Sequence, residues 1–246
     1  MKRQLQPIGS PLGGAKAIVL VLLLCTFAAA QDTTPISALE VKYRKRIFKN
    51  DRVSVFLLEI PPNHASLMHR HDTDMLTIFV AGAETKTTIY GKPPKEDKFT
   101  AGEVRFRPAG FTHSSENMGA NVFRSVILEF NSSVGAIEPS KPPDSRYCNP
   151  GSKTACVGEK YLFCTARFCV KEISIGPGAV WPNNEYASDQ MLIAVSDYKL
   201  SNQPKGKAEK VLTRKSGEVE YVTGDSARQW ANAVSVPARI IAVVFR

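Results

Sequence analysis

The residues best suited to chemistry are His69-Arg70-His71 and, further along, the segment from Gly102 to Asn117. That segment reads Gly102, five residues, Pro108-Ala109-Gly110, two residues, His113, three residues, Asn117. Residues at i and i+2 on a strand face one side, so His69 and His71 would sit about 7 Å apart along the chain. A third donor must come from a neighbouring strand, and His113 follows a turn that could bring it there. Three neutral imidazoles with an open side suit a divalent transition metal, Fe2+, Mn2+, Ni2+ or Zn2+. His69, His71 and His113 are therefore the expected metal ligands. His64, the one other histidine, lies in the turn before the strand and is expected to be exposed. Asp74 should point away from the histidines unless a bulge re-aims it, and Glu116 reads as a surface carboxylate. No catalytic acid or base can be singled out.

The elements that must position these residues are strands. Val53–Ile60, Met75–Ala81, Lys86–Tyr90, Val104–Arg107 and Val122–Phe130 are rich in β-branched and long apolar residues. Turn chemistry separates them at Pro61-Pro62-Asn63, Asp72-Thr73-Asp74, Gly91 to Lys95, Pro108 to Gly110 and Gly119. No helical periodicity persists for three turns. Many short strands imply a sandwich or barrel. Sliding the chain by 115 residues superposes Gly102-Glu103-Val104 on Gly217-Glu218-Val219, Asn117 on Asn232, Arg124 on Arg239 and Phe130 on Phe245. Upstream, Ile60 meets Ile175, Pro62 meets Pro177 and Asp74 meets Asp189 in the same register. This is the signature of one unit used twice.

Composition bounds the rest. The 246 residues, 43% hydrophobic, suffice for one or two cores. Lys2, Arg3 and Lys16 precede an apolar run from Ala17 to Leu24, and Ala28-Ala29-Ala30 supplies a small-residue cleavage pattern. This reads as a cleaved signal peptide over residues 1–30, with an uncleaved anchor as the alternative. The protein is then expected to be secreted or periplasmic, with no membrane span after cleavage. Removing Lys2, Arg3 and Lys16 lowers the formal charge by three, from +9 to +6. The remaining cations are interleaved with acids, which argues against a nucleic-acid partner. Cys148, Cys156, Cys164 and Cys169 are even in number and clustered, so two disulfides are expected, with three pairings open. Asn131-Ser132-Ser133 fits a glycosylation acceptor.

With these motifs in place the chain resembles the cupin superfamily, in the two-domain bicupin form. The second cupin motif is matched at every position by Gly102, Pro108, Gly110, His113 and Asn117. The first is matched by His69, His71 and Gly82, with Asn63 where a glycine and Met75 where a glutamate would stand. Asn tolerates a positive φ, so the turn can survive. Met75 offers only a soft thioether in place of a charged ligand. The resemblance covers about residues 40–130 and, more weakly, 160–246. It implies an all-β chain of two tandem jelly-roll barrels: 31–135 holding the metal, a linker 136–160, and 161–246 degenerate. In the second copy Asn184, Tyr186, Gln190 and Arg228 replace His69, His71, Met75 and His113. Trp230 should fill that barrel's interior, and Trp181 should serve in packing. Superfamily members with three-histidine sites include iron-dependent dioxygenases, an analogy at the level of fold.

Three functions stay open. One is a metal-dependent oxygenase or isomerase acting on a small molecule. Another is a non-catalytic module binding a small molecule or metal. The third is a metal-stabilised structural envelope protein. A homodimer is compatible with each.

Overall fold

The computed structural model describes residues 35–182, 187–202, 210–224 and 229–246. The expected signal peptide lies outside them, as do Asn184, Tyr186 and Arg228. Strands dominate, and a single 3-10 turn, Ala38–Glu40, is the one helical element among the described residues. No helix among them is long and apolar enough to cross a membrane.

The first half consists of two five-stranded sheets. One is ordered Arg44–Lys49, Val53–Ile60, Phe123–Phe130, Met75–Phe79, Val104–Arg107. The other is ordered Ile36–Ser37, His69–His71, Phe111–Asn117, Ala83–Ile89, Lys95–Phe99. Their strands alternate inward and outward residues. Phe56, Leu58, Ile60, Met75, Phe79, Phe99, Phe123 and Ile127 form the core between them.

The central strands read as nearly continuous apolar runs because both of their faces are buried. The outer face of the first sheet, with Val55, Ile78, Val126 and Leu128, packs on Phe168, Val170, Met191 and Val243 of the second half. Each such side chain contributes about 1.5–3 kcal/mol on leaving water, so a core shared by the two halves lies between them. Residues 34–246 form a single compact unit accordingly.

The second half repeats the strand ends at the same 115-residue offset: Phe168–Ile175, Gln190–Ala194, Val219–Val222 and Ala238–Phe245 mirror Val53–Ile60, Met75–Phe79, Val104–Arg107 and Phe123–Phe130. Hydrogen bonds repeat too. The Asn117 amide donates to the carbonyls of Ile60 and Asn121, both at 2.8 Å. The Asn232 amide donates to those of Ile175, at 2.9 Å, and Val236, at 2.8 Å. Both asparagines are buried. Replacing Asn117 by alanine leaves the buried Ile60 carbonyl without this donor, at a cost of about 1–3 kcal/mol. A loss in that range, read from urea unfolding, is expected for Asn117→Ala and for Asn232→Ala alike.

The contact between halves is reciprocal. Arg124 Nη2 donates to the Ser216 carbonyl at 3.1 Å, and Arg239 Nη2 to the Ala101 carbonyl at 3.2 Å. Gly102 has φ +90°, and a Cβ there would lie 2.7 Å from Arg239 Nη2. The motif glycine thus serves both a left-handed turn and the close approach of the other half.

Several strands escaped the sequence pattern. Lys95–Phe99 is an edge strand whose charges hide its period and protect its exposed edge. Arg44–Lys49 and Phe111–Asn117 are polar for their positions. The expected linker 136–160 also contains structure: Ser145–Cys148 pairs with Cys156–Cys164 to extend the second half's main sheet. The disulfides are Cys148–Cys156 and Cys164–Cys169. Each links residues directly opposite on paired strands.

Candidate metal centre

His69 and His71 project from one short strand onto the inner face, 5% and 1% exposed. Phe111–Asn117 runs antiparallel beside it and sets His113 directly opposite His69. The turn that makes this pairing needs Gly110 at φ +85°. At the start of the first motif Asn63 takes φ +59°, so it does stand in for a glycine. The three imidazoles converge: Nε2 of His69 lies 3.1 Å from Nε2 of His71, which lies 3.3 Å from Nε2 of His113. Their donor atoms all fall within 4.8 Å of one another, the one such group among the described residues.

The far sides of two rings decide what the near sides can do. His69 Nδ1 donates to the Leu67 carbonyl at 2.7 Å, and His71 Nδ1 donates to Glu129 Oε1 at 2.8 Å. Both rings are therefore held with the proton on Nδ1 and a lone pair on Nε2. Two lone pairs facing each other at 3.1 Å repel unless a cation lies near. This pattern of backed imidazoles is the usual support of a metal site, and the donor set fits a divalent ion.

Burial, the largest cause, lowers the pKa of His69 to about 4 despite its bond to Leu67. Burial likewise holds His113 well below the ordinary imidazole range, helped by the charges of its neighbours. Both are neutral at pH 7, as ligands must be. An unfolded histidine titrates near 6.5, so below that value the unfolded chain binds more protons than the folded one. Stability present above pH 6.5 is then lost as pH falls toward 4, on the order of 3 kcal/mol for His69 alone. The metal-free protein is expected to melt progressively lower between pH 6.5 and 4. A flatter dependence is expected for His69→Gln, measured by thermal unfolding in chelator.

Glu129 and Arg44 complete the site, and sequence reasoning missed both. Burial works against ionisation of Glu129, yet the hydrogen bond from His71 and the Arg44 charge outweigh it and keep its pKa low. The Arg44 guanidinium lies 2.7 Å from Glu129 Oε1, donates to the Ala38 carbonyl and stacks 3.6 Å from the Phe56 ring centroid. Glu129 is directly opposite Met75 across the ladder. The carboxylate absent at Met75 therefore appears one strand away, behind a histidine. A signal was present: Glu129 is the lone acid of its strand and lies on the inward face with Phe123, Ser125 and Ile127.

The other expectations resolve simply. His64 is exposed, with Nδ1 against the Pro62 carbonyl at 2.8 Å. Asp74 is buried but turned away, accepting from the amides of Ala109 and Val134 at 2.8 and 2.9 Å. Glu116 pairs with Lys86 at 2.7 Å on the surface side. Trp181 and Trp230 are both buried in the second half's own core, so Trp181 is core rather than inter-domain packing. Gln190, at the place of Met75, is buried as well.

Beside the histidines opens a cavity of about 560 Å³, within the usual range for a small-molecule site. His69 and His113 form part of its wall, with Met75 and Phe111.

No family profile matches the chain, and no curated protein matches it in sequence. Solved structures do. The crystal structure of AerE from Microcystis aeruginosa aligns with a TM-score of 0.56 at 15% identity, over 82% of this chain and 97% of that one. A cupin 2 conserved barrel domain protein from Leptotrichia buccalis aligns with a TM-score of 0.52 at 14% identity, over 87% and 92%. Oxalate decarboxylase of Bacillus subtilis, described with Mn(II) centres, aligns with a TM-score of 0.50 at 13% identity, over 79% and 69%. At these identities the likeness is one of fold, and the fold of this chain is that of the cupins.

Proposed function

We propose that this protein is a bicupin whose first half holds one divalent metal ion through His69, His71 and His113 and acts on a small molecule bound beside it. The observation that carries this reading is the convergence of three Nε2 atoms, two with their Nδ1 protons committed elsewhere. Fe2+, Mn2+, Ni2+ and Zn2+ all suit such donors, and the Mn(II) centres of the oxalate decarboxylase of similar fold favour manganese among them. The second half is a degenerate copy that buries the back of the first.

A bound ion would supply Lewis acidity toward an oxygen of the small molecule. The chain's own part is to fix the imidazoles, keep them neutral and shape a partly apolar chamber that limits water. A structural metal site is closed by protein ligands, whereas a working one keeps an open side. A cavity against His69 and His113 therefore favours an enzyme or a receptor over a structural role. One observation favours the receptor. The described lining residues include a single acid, Asp97, and it is held by Lys95 at 2.9 Å, so none of them offers an unpaired carboxylate as a general base. Export through an N-terminal signal fits the two disulfides, since such bonds persist in oxidising compartments.

The test is elemental analysis of protein purified without a histidine tag. About one metal ion per chain is expected, and none in the His69→Ala/His71→Ala variant. Turnover or oxygen uptake with a panel of small oxygenated substrates then separates enzyme from receptor. Absence of metal from a folded wild-type protein, after reconstitution with each of the four ions, would end this reading.

A further inference from the structure

The cavity beside the histidines is unbalanced in charge and divided in polarity. Its lining includes the cations Arg44, Lys92, Lys95, Arg105 and Arg107 against the single acid Asp97. Three of those cations are neutralised. Glu129 pairs with Arg44 at 2.7 Å, Glu103 with Arg105 at 3.0 Å and Asp97 with Lys95 at 2.9 Å. Lys92 and Arg107 remain; Lys92 is exposed, whereas Arg107 is half-buried. Its Nη1 donates to the Phe106 carbonyl at 3.2 Å, and its guanidinium lies 5.5 Å from the Phe111 ring centroid. No carboxylate pairs with it among the described residues. It stands opposite Met75 in the ladder, at the histidine end of the cavity, and its charge helps to keep His113 neutral. A half-buried guanidinium with most of its donors unused is a ready fork for a carboxylate.

The other end is aromatic, and the one guanidinium seen against it, that of Arg105, lies 4.5 Å from the Phe99 ring centroid and is paired with Glu103. Phe79 and Phe99 stack with centroids 3.8 Å apart, and Phe123 lies 5.9 Å from Phe79. Met75 and Phe79 share one strand and one face, four residues apart, so about 13 Å separates the two ends. A two-carbon acid seated on Arg107 would leave the aromatic floor uncovered.

We propose that the cavity takes a monocarboxylate with an elongated apolar body: the head group rests on Arg107 beside the histidines, and the body covers Phe79, Phe99 and Phe123. The proposal deepens the metal-centre reading and shares its site, but Arg107 and the aromatic floor make their contacts whether or not metal is bound.

The experiment is calorimetric titration of the full mature chain, zinc-loaded and metal-free, with 6-phenylhexanoate, 6-phenylhexylamine, 6-phenylhexanol and acetate. The phenylhexanoate is expected to bind at least tenfold tighter than the amine, the alcohol or acetate. Arg107→Met is expected to weaken it about tenfold, in line with the loss of a charge-assisted pair, and to leave the alcohol unchanged. Arg107→Lys should retain most of the preference. Phe99→Ala should weaken carboxylate and alcohol together. Equal binding of amine or alcohol overturns the proposal, as does equal binding of acetate. A carboxylate preference untouched by Arg107→Met, in a variant that melts like the parent, also overturns it. If zinc fails to bind, the metal reading falls separately, and the Arg107-dependent preference in the metal-free protein decides this one.

Discussion

Replacing His113 by alanine is expected to lower metal affinity on the order of a hundredfold or more while leaving the chain folded. Four-ligand structural zinc sites are worth about 10–16 kcal/mol, so each protein donor accounts for roughly 3 kcal/mol. His113 is the donor on its own strand, and His69 and His71 alone give a two-point grip. Its Nδ1 has only a long contact to Ser115 Oγ, 3.4 Å, so little of the surrounding network depends on it. Burial keeps this imidazole neutral, so its removal deletes no ion pair. The rise in melting temperature on adding metal, which reflects binding to the folded state alone, should disappear in the variant. Metal-free wild type and variant should melt within a few degrees of each other. Unchanged metal content in His113→Ala after dialysis would mean that the ion, if any, sits elsewhere.

Glu129→Gln is expected to damage both stability and metal binding, through separable causes. Arg44, with its side chain only 2% exposed, would be left as a buried charge without a counter-ion. Breaking such a pair costs about 3–5 kcal/mol, whereas replacing both members by uncharged groups is often neutral. The double variant Arg44→Met/Glu129→Gln should therefore recover most of the stability lost in the single one. Metal affinity should not recover. Glu129 fixes the ring of His71 and strengthens its basicity, and loss of such a partner typically costs 10–100-fold. The glutamine retains a carbonyl acceptor for Nδ1–H but no charge, so the drop in affinity reports the carboxylate's electrostatic share. Urea unfolding of the metal-free proteins and calorimetric metal titration together give the cycle. Full recovery of affinity in the double variant would reduce Glu129 to a structural counter-ion.

The same pair bears on the charge at the site, where Met75 stands in place of a carboxylate. In the cupin motif that this segment resembles, a carboxylate would offset part of the ion's charge. Here the carboxylate belongs to Glu129 and acts through His71, while Arg44 cancels its charge. The set His69, His71, His113, Glu129 and Arg44 is thus neutral overall apart from the metal it would hold. A cation there keeps its positive field, consistent with a site that favours anions.

Much of this was legible in the chain. The alternation of His69 and His71, the Pro108-x-Gly110 turn before His113 and the apolar strand runs follow from local rules: side-chain period, turn conformation and propensity act within a few residues. Even the substitution of Asn63 for glycine could be interpreted, because αL tolerance is a property of the residue itself. Lys95–Phe99 was obscured because an edge strand is chosen for what it avoids, and charges on it carry no period-two signal. Glu129, Arg44 and Arg107 were obscured for another reason. Glu129 reaches His71 across the space between the two sheets, Arg44 reaches Glu129 past the intervening strand Val53–Ile60, and Arg107 faces the cavity, so their meeting depends on how whole sheets pack.

By itself, then, the order of residues determined an all-β chain with an internal 115-residue echo, three imidazoles of the right kind and spacing, and cysteines suited to bridging. Tertiary structure alone decided that Glu129 stands behind His71, that Asp74 is spent on backbone amides, that Arg107 meets no acid among the described residues, and how the cysteines pair. Donor type and turn shape are local properties of a few consecutive residues. Which charge meets which is settled only when strands tens of residues apart come into register around a shared core.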